Sequence, residues 1–337
     1  MVMRVATLSL VGKIRSTTQP RFLPAPWVEY PRRVPAKVTI PIRCEVRGQQ
    51  IAGEVAVWKY SPQPESTRSQ RLLLIHGFRG DHHGMQLIVD GLPEFEVLVP
   101  DLPGYGQSPP LCTADGVTHE HTVNLYAAAV EGLSQALHLG SGDCLIGHSF
   151  GTVVCAAHCA QHHRDWSSVV LSAPISDNIF RGRLLPGATV VELYYRLCQV
   201  LPEAAANAVL RSPTVLEVMN LTLGVGWDRE LTAFVKDQHR QFFGGYWNRK
   251  NLLESYHASS RHTVKEYASN VRVPTLLLAG SQDTLSTPKG RRLLRESLPQ
   301  GHLEIIRGSG HLVHYEKPAQ LARAVRQFVS CVTPHRQ

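Results

Sequence analysis

The sequence lacks the features that define several large protein classes. No stretch approaches about 18 apolar residues without a charge, so the pattern predicts no membrane-spanning helix. The seven cysteines are an odd number without paired spacing, which is typical of reduced thiols and predicts a cytoplasmic protein. There is no G-x-x-x-x-G-K-[ST] motif, and Gly104-Tyr-Gly106 lacks the third glycine of a dinucleotide fingerprint. Nucleotide-dependent, disulfide-stabilised and membrane-spanning proteins are therefore not expected.

Acidic residues are scarce at both ends of the chain. The formal charge of +8 resolves into net +5 in residues 1–35, net −5 in residues 36–175, net +2 in residues 176–270, zero in residues 271–288 and net +6 in residues 289–337. No basic run alternates with aromatic residues, so no nucleic-acid partner is expected. The charge distribution predicts at most a weak peripheral membrane contact through the N-terminal residues.

Residues 1–36 form a basic lead-in that is rich in proline. Proline disfavours regular helix, so an extended segment is expected here. The short apolar piece near the start has no small-residue cleavage site after it, which argues against a secretory signal. An organelle presequence stays an open alternative, because residues 1–22 contain no acid.

From residue 37 onward the sequence pattern predicts a doubly wound, mostly parallel α/β sheet. A hairpin across Arg47-Gly48-Gln49 comes first, and short Leu/Ile/Val-rich runs then alternate with helical patterns. Such continuous apolar runs suit parallel strands that are buried on both faces. The predicted strands are Val38–Cys44, Ile51–Trp58, Arg71–His76, Phe95–Pro100, Asp143–Gly147, Ser168–Ala173, Thr275–Ala279 and Leu303–Ile306.

One interval interrupts this alternation. Residues 176–268 carry only helix-like segments, with patches at 214–221, 229–242 and 250–260, and are interpreted as a helical lid. Residues 37–175 and 269–331 then form the core. The lid begins with an apolar stripe at helical spacing, which suggests an apolar or aromatic part of a substrate. The stripe consists of Val190, Leu193, Tyr194, Leu197 and Leu201.

The strongest functional signal is the pentapeptide Gly147-His148-Ser149-Phe150-Gly151. It follows a predicted strand and precedes an apolar helix, which is the context of a G-x-S-x-G nucleophile elbow. A serine on so sharp a turn has a strained backbone, and neighbouring side chains would collide with the strand and helix that it joins. Ser149 is therefore the candidate nucleophile.

A serine nucleophile needs a base and an acid that orients the base. His311 and Asp283 both follow predicted strands, so they are expected at the sheet edge where Ser149 emerges. The order Ser, Asp, His is that of the α/β hydrolases. His314 remains a rival base, and Asp177, which follows an earlier strand, remains a rival acid.

An acyl-transfer site also needs donors for a developing oxyanion. After the strand that ends near Ile75, Gly77 permits a turn that directs the Phe78 N–H at the site, with the Phe150 N–H as second donor. Arg79 and Asp81 follow in the same loop, and we expect both to be solvated at the surface. Substrate contact is the alternative for either residue.

No metal site is expected. His158 and His162 have the i, i+4 spacing of a shared metal, but no acidic or cysteine ligand set accompanies them. We interpret the pair as part of a solvated helix face, and His82-His83 as loop.

Together these motifs resemble the α/β-hydrolase superfamily, in the branch that carries a helical cap after the sixth strand of the core. The resemblance covers about residues 37–331 and implies an esterase-like or lipase-like serine hydrolase without a metal or organic cofactor. Its nucleophile position holds Ser rather than Asp, unlike the epoxide hydrolases and haloalkane dehalogenases that share this cap. The residues that carry it are His76-Gly77-Phe78, Asp101–Ser108 in the form D-x-P-G-x-G-x-S, Ser149, Asp283 and His311.

The expected activity is cleavage of an ester or related acyl bond of a small, largely apolar substrate. Two alternatives remain on the same fold: C–C hydrolysis of a diketone, and cofactor-free haloperoxidase-like chemistry. A third is a binding protein that retains the scaffold. The lid and pocket residues decide among these, and the sequence does not identify the pocket.

Overall fold

The computed structural model describes residues 30–66, 68–181, 184–212 and 229–332. Within these residues, nine strands form one sheet in the order β1-β2-β4-β3-β6-β7-β8-β9, with β5 paired to β2. The strands are β1 (Ala36–Val46), β2 (Gln49–Tyr60), β3 (Arg71–Ile75), β4 (Glu96–Pro100), β5 (Cys112–Thr113), β6 (Cys144–His148), β7 (Ser168–Ser172), β8 (Thr275–Gly280) and β9 (Gly301–Ile306).

The sheet begins with an antiparallel hairpin. Arg47 and Gly48 join β1 to β2 with φ angles of +52° and +80°, the left-handed geometry that matches the twist of paired strands. Pro41 lies inside β1, where its missing N–H is tolerated because β1 is an edge strand. The predicted hairpin is thus confirmed, with both strands longer than the apolar pattern indicated.

The remaining long strands run parallel, and helices cover both faces of the sheet. Every residue of β6, β7 and β8 is buried, which explains their continuous apolar sequences. The helices are α1 (Gln86–Asp90), α2 (Val123–Ala136), α3 (Phe150–His162), α4 (Leu185–Val200), α5 (Glu203–Leu210), α6 (Arg229–Phe242), α7 (Arg249–Arg261), α8 (Pro288–Ser297), α9 (Val313–Glu316) and α10 (Pro318–Val332).

Alternate strand residues feed two separate cores. Leu73 and Leu145 pack with α2 and α3 on one face, whereas Leu72 and Ile146 pack with α1 and α10 on the other. This two-sided burial is the doubly wound α/β architecture that the sequence predicts. The carboxyl ends of the parallel strands consequently meet at one edge of the sheet, where the site described below lies.

Helices α4 to α7 fall between β7 and β8, the interval without strands in the sequence pattern. The predicted patches at 229–242 and 250–260 correspond to α6 and α7. The predicted patch at 214–221 lies outside the described residues.

The apolar stripe on α4 is only partly exposed: Tyr194 and Leu201 are half-buried against the core, and the other three residues face away from it. Its interpretation as a substrate surface stays a prediction. Val190, Leu193 and Leu197 are 68%, 60% and 51% exposed, whereas Tyr195 and Cys198 on the opposite face are buried. Both faces of this helix are apolar, and periodicity alone does not tell which of two apolar faces is buried.

No helix among the described residues is long and apolar enough to cross a membrane. All seven cysteines lie in the described ranges and none of them is paired in a disulfide.

Candidate active site

Ser149 lies at the junction of β6 and α3 with φ of +53° and ψ of −120°. This backbone region is unfavourable for a residue with a side chain and persists only where the surrounding structure imposes it. Close packing of the flanking segments imposes it here, and glycines at 147 and 151 permit that packing. A Cβ at Gly147 would collide with the Gly151 carbonyl, and one at Gly151 would collide with the Ile75 carbonyl of β3. The tight packing of strand against helix therefore presents the Ser149 side chain at the sheet edge.

His311 and Asp283 approach Ser149 in a continuous chain of contacts. Ser149 Oγ lies 2.8 Å from His311 Nε2, and His311 Nδ1 lies 3.0 Å and 3.2 Å from the two Asp283 carboxylate oxygens. The His311 and Asp283 side chains are 3% and 0% exposed. In this arrangement His311 Nδ1–H donates to Asp283, which leaves Nε2 free to accept the Ser149 proton.

The loops that carry Asp283 and His311 are bound to one another. Gln282 N–H donates to the Ser309 carbonyl over 2.9 Å, and Gly310 N–H donates to the buried Glu316 carboxylate. A Cβ at Gly280 would strike the Gly310 backbone, so glycine is needed at this close approach. These contacts fix the Asp283–His311 geometry. No local sequence pattern indicates the contact that Glu316 makes with this loop.

The rival acid and base lie elsewhere. Asp177 accepts hydrogen bonds from the Thr287 N–H and hydroxyl, over 2.8 Å and 3.1 Å, at the start of α8. His314 is buried with its ring 3.9 Å from the His148 ring. Burial holds the pKa values of His148 and His314 well below the usual range for histidine, and neighbouring imidazoles lower them further. Both rings are therefore neutral packing groups behind His311.

The two predicted oxyanion donors flank Ser149. A Cβ at Gly77 would lie 3.1 Å from Ser149 Cβ and 3.5 Å from Ser149 Oγ, so the Gly77–Phe78 backbone runs beside the nucleophile. Phe150 is the first residue of α3, where a backbone N–H has no intrahelical acceptor. Neither the Phe78 nor the Phe150 N–H donates a hydrogen bond to any described residue.

His76 fixes the turn that carries Phe78. Its Nε2 accepts from the Leu102 N–H over 2.9 Å, so Nδ1 bears the proton and donates to the Gly77 carbonyl over 2.8 Å. Full burial lowers the pKa of His76, and the ring is neutral in this role. His76 thus ties the loop after β3 to the loop after β4, a function that its place in the sequence motif did not reveal.

Asp101 organises the D-x-P-G-x-G-x-S turn. Its carboxylate accepts from the His82 backbone N–H, from His82 Nδ1 and from the Gln107 N–H over 2.8–2.9 Å. Burial alone would raise the pKa of Asp101, but the His82 imidazole and these hydrogen bonds outweigh burial and lower it. A Cβ at Gly106 would occupy the place of the carboxylate, so glycine is required there.

The prediction of surface solvation for Arg79 and Asp81 is wrong. Arg79 is 1% exposed and Asp81 is 6% exposed. The reason is that the segments between β7 and β8 lie over this loop: Arg79 donates to the carbonyls of Leu210 and Phe243. Contacts over so long a separation in sequence leave no trace in the local pattern.

The described residues offer one group with ligand atoms close enough for a metal ion, Asp81, His82 and His83, whose atoms lie within 4.8 Å of one another. Both imidazoles already use Nδ1 on a carboxylate: His82 on Asp101 at 2.8 Å and His83 on Asp81 at 3.1 Å. The two rings also stack, with 3.8 Å between centroids. Hydrogen bonds through Nδ1 and ring stacking thus hold these three side chains together.

His158 is buried rather than solvated, contrary to the sequence interpretation. Its Nε2 accepts from the Trp166 indole N–H over 3.0 Å, and its ring lies 5.5 Å from that of the half-buried His162. His158 therefore packs α3 against the loop that precedes β7.

Comparison with known proteins gives one family and several relatives. A family model described as the alpha/beta hydrolase fold matches residues 70–318. Monoacylglycerol lipase ABHD6 of Homo sapiens is 26% identical over 291 residues, which cover 81% of this chain and 79% of that lipase. Lipase 3 of Moraxella sp. (strain TA144) is 22% identical over 277 residues, which cover 78% of each chain.

Among solved structures, a thermophilic esterase from Thermogutta terrifontis superposes with a TM-score of 0.65 at 21% identity. The superposition covers 88% of this chain and 99% of that esterase. At this identity the structural similarity shows the fold alone.

Proposed function

The chain belongs to the α/β-hydrolase family, and from this membership we propose that it is a serine hydrolase that cleaves the carboxylic ester bond of a small, largely apolar substrate. The lipases among its relatives support ester cleavage as the reaction. In this proposal Ser149 is the nucleophile, His311 the general base and Asp283 the residue that orients the base.

One observation carries the proposal. Ser149 has the strained backbone of a nucleophile elbow, and its Oγ lies 2.8 Å from an imidazole whose other nitrogen faces a buried carboxylate. Each group has the position that its chemical role requires: a nucleophile within reach of a base, and a base held by a third group.

The first half of the reaction forms an acyl-enzyme. Ser149 Oγ attacks the ester carbonyl while His311 Nε2 takes its proton, and Asp283 stabilises the resulting imidazolium. The Phe78 and Phe150 N–H groups donate to the oxyanion of the tetrahedral intermediate. As this intermediate collapses, His311 returns the proton to the departing alkoxide and the alcohol leaves.

The second half regenerates the serine. Water attacks the acyl-enzyme carbonyl with His311 again as base, the same two N–H groups hold the oxyanion, and the acid product departs with the proton returned to Ser149 Oγ. Every proton in both halves moves through His311, and none of these steps calls for a metal or an organic cofactor.

The surroundings of Phe78 support an apolar substrate. Its ring lies 6.2 Å from the rings of both Tyr195 on α4 and Tyr256 on α7, which stack on each other at 3.8 Å. The two tyrosines are buried and Phe78 is half-buried, so the Phe78 ring that packs on them presents an apolar surface beside the proposed oxyanion turn.

We also propose that residues 176–268 act as the cap of the site. The loop of the D-x-P-G-x-G-x-S motif contacts them through Gly106 N–H, which donates to the Gly245 carbonyl over 2.6 Å, and through Gly104, whose carbonyl accepts from Trp247 N–H over 2.9 Å. The Tyr105 hydroxyl bonds to that of Ser255. Such backbone pairing supports a cap held in a defined register over the core.

A fluorophosphonate probe tests the proposed nucleophile. The unmodified protein is expected to be labelled covalently and to hydrolyse aryl esters of graded acyl length, and Ser149→Ala is expected to lose both properties. The matched control is Ser297→Ala, an exposed serine whose hydroxyl bonds only within α8, and it should behave as the unmodified protein does.

Absence of labelling in the unmodified protein would exclude the serine-hydrolase proposal. Labelling without turnover of any ester would keep Ser149 as a reactive nucleophile and reject ester cleavage in favour of C–C hydrolysis, haloperoxidase-like chemistry or ligand binding.

A further inference from the structure

Arg79 joins the turn beside the nucleophile to three separate segments between β7 and β8. Its Nη2 donates to the Leu210 carbonyl at the end of α5 over 2.7 Å, and its Nε donates to the Phe243 carbonyl after α6 over 3.3 Å. Its Nη1 lies 3.4 Å from the Tyr195 hydroxyl on α4. A single side chain from the core thus reaches α4, the end of α5 and the segment after α6.

The charge of this side chain is not matched by a carboxylate. Among the described residues no Asp or Glu pairs with Arg79, and its neighbours are tyrosine hydroxyls and the ring faces of Phe243 and Tyr246, 5.7 Å and 5.9 Å from the guanidinium carbon. A buried cation is tolerated only where hydrogen bonds and ring faces replace its water. All of these replacements come from residues 195–246, so the guanidinium is satisfied only while these segments are docked.

The backbone of Arg79 is also unusual. Its φ is +59°, and it occupies the third position of a turn closed by the Gly80 N–H to the Gly77 carbonyl over 3.1 Å. Glycine adopts this φ freely and arginine does not. Phe78 occupies the second position of the same turn, so the contacts that hold the Arg79 side chain also hold the peptide next to the Phe78 N–H.

From these contacts we infer that Arg79 is a positioning residue that couples docking of the cap to the geometry of the oxyanion turn. The inference rests on the proposed function, because it concerns the donor at Phe78. With the cap docked, the guanidinium bonds hold the turn in one conformation and aim the Phe78 N–H at the reacting carbonyl. Without those bonds, as in a glycine variant that is free to adopt other φ values, the turn is no longer held and the donor loses its fixed direction.

The chain provides a matched control for the test. Arg47 has φ of +52° and lies exposed in the β1–β2 turn, remote from residues 176–268 in the sheet order. Arg79→Gly and Arg47→Gly therefore make the same substitution at the same backbone conformation. Arg79→Lys is the third variant, because it keeps the charge but cannot reach three acceptors at once.

Turnover of an aryl ester is measured per active site titrated with the fluorophosphonate. Arg79→Gly is expected to lower kcat about 10- to 100-fold with a much smaller change in KM, because a displaced donor is lost mainly in the transition state. The kcat of Arg79→Lys should lie between those of Arg79→Gly and the unmodified protein, and the kcat of Arg47→Gly should match that of the unmodified protein. Added ethylguanidine should partly restore kcat in Arg79→Gly only. Hydrogen exchange in residues 185–210 and 243–247 should accelerate in Arg79→Gly and not in Arg47→Gly.

Three outcomes would overturn the inference. The first is an Arg79→Gly variant with fewer titratable sites but unchanged kcat per site, which is the result for a purely structural arginine. The second is unchanged exchange in residues 185–210 and 243–247. The third is faster exchange there with normal turnover, which separates cap docking from the oxyanion turn. An unmodified protein that neither reacts with the probe nor cleaves esters marks failure of the proposed function, and the exchange data still decide whether Arg79 holds these segments.

Discussion

Two aspartates follow strands at the sheet edge where Ser149 lies, and the two make different contacts. Asp283 accepts from His311 Nδ1, whereas Asp177 accepts from the Thr287 N–H at the start of α8. Asp283→Asn is expected to lower kcat about 10⁴-fold, since an amide in that place favours the wrong imidazole tautomer. Asp177→Asn is expected to retain kcat and to lose about 1 kcal/mol of stability, since it weakens the start of α8. Steady-state kinetics and thermal unfolding measure the two effects.

Each variant is the control for the other, because both replace a carboxylate by an amide of the same shape. Loss of turnover in Asp177→Asn with normal turnover in Asp283→Asn would reverse the assignment. Equal loss in both variants, at unchanged stability, would mean that neither carboxylate acts alone on His311.

At the residue scale the sequence predicts those members of the proposed site that belong to short motifs. Ser149 is identified by its pentapeptide, and Asp283 and His311 by their order and their places after strands. Arg79 and Glu316 were not predicted, because the part each plays depends on tertiary contacts. Arg79 finds its acceptor at Leu210, 131 residues away, and no local pattern reports such a contact.

At the scale of elements, the strands were predicted because burial on both faces leaves a continuous apolar run. The helices between β7 and β8 were predicted to exist, but not their orientation. On α4 one apolar face, with Tyr195 and Cys198, is buried, and another, with Leu193 and Leu197, is exposed. Tertiary packing selects between two such faces, and the 3.6-residue period is the same for both.

A pair of identical substitutions tests this orientation. Leu197 on α4 is 51% exposed and Leu210 on α5 is fully buried. Leu197→Ala is expected to change the free energy of unfolding by less than about 0.5 kcal/mol. Leu210→Ala is expected to cost about 3 kcal/mol, because it removes buried methyl groups and leaves a cavity. Urea unfolding of the two variants measures both values. Similar costs for both would show that the face of α4 with Leu197 is covered in solution.

At the scale of the whole molecule, the folded structure includes part of the basic N-terminal region. Arg33 is part of the folded structure: its backbone N–H donates to Asp90 over 2.9 Å, and its guanidinium donates to five backbone carbonyls. These acceptors are the carbonyls of Val89, Leu92, Tyr60, Ser61 and Phe95. Residues 30–32 also line a cavity of about 140 Å³ together with α1 and α6. The Arg33 guanidinium is thus hydrogen-bonded within the folded protein.

Residues 1–29 retain four basic and one acidic side chain, and this remaining charge is what an anionic surface would attract. Deletion of residues 1–29 is expected to abolish salt-sensitive binding to phosphatidylcholine vesicles that contain about 30% phosphatidylserine, because charge near the surface supplies the attraction. The same deletion should leave ester turnover and Tm unchanged, since it spares Arg33.

In the full chain, Arg33→Ala should lower Tm by about 5 °C, because the carbonyls around its guanidinium lose their donors, and should leave vesicle binding intact. Vesicle cosedimentation at low and high salt and thermal unfolding distinguish the two variants. Vesicle binding that survives the deletion would place the attractive charge in the basic C-terminal region, and a normal Tm for Arg33→Ala would mean that the guanidinium contacts contribute nothing to folding.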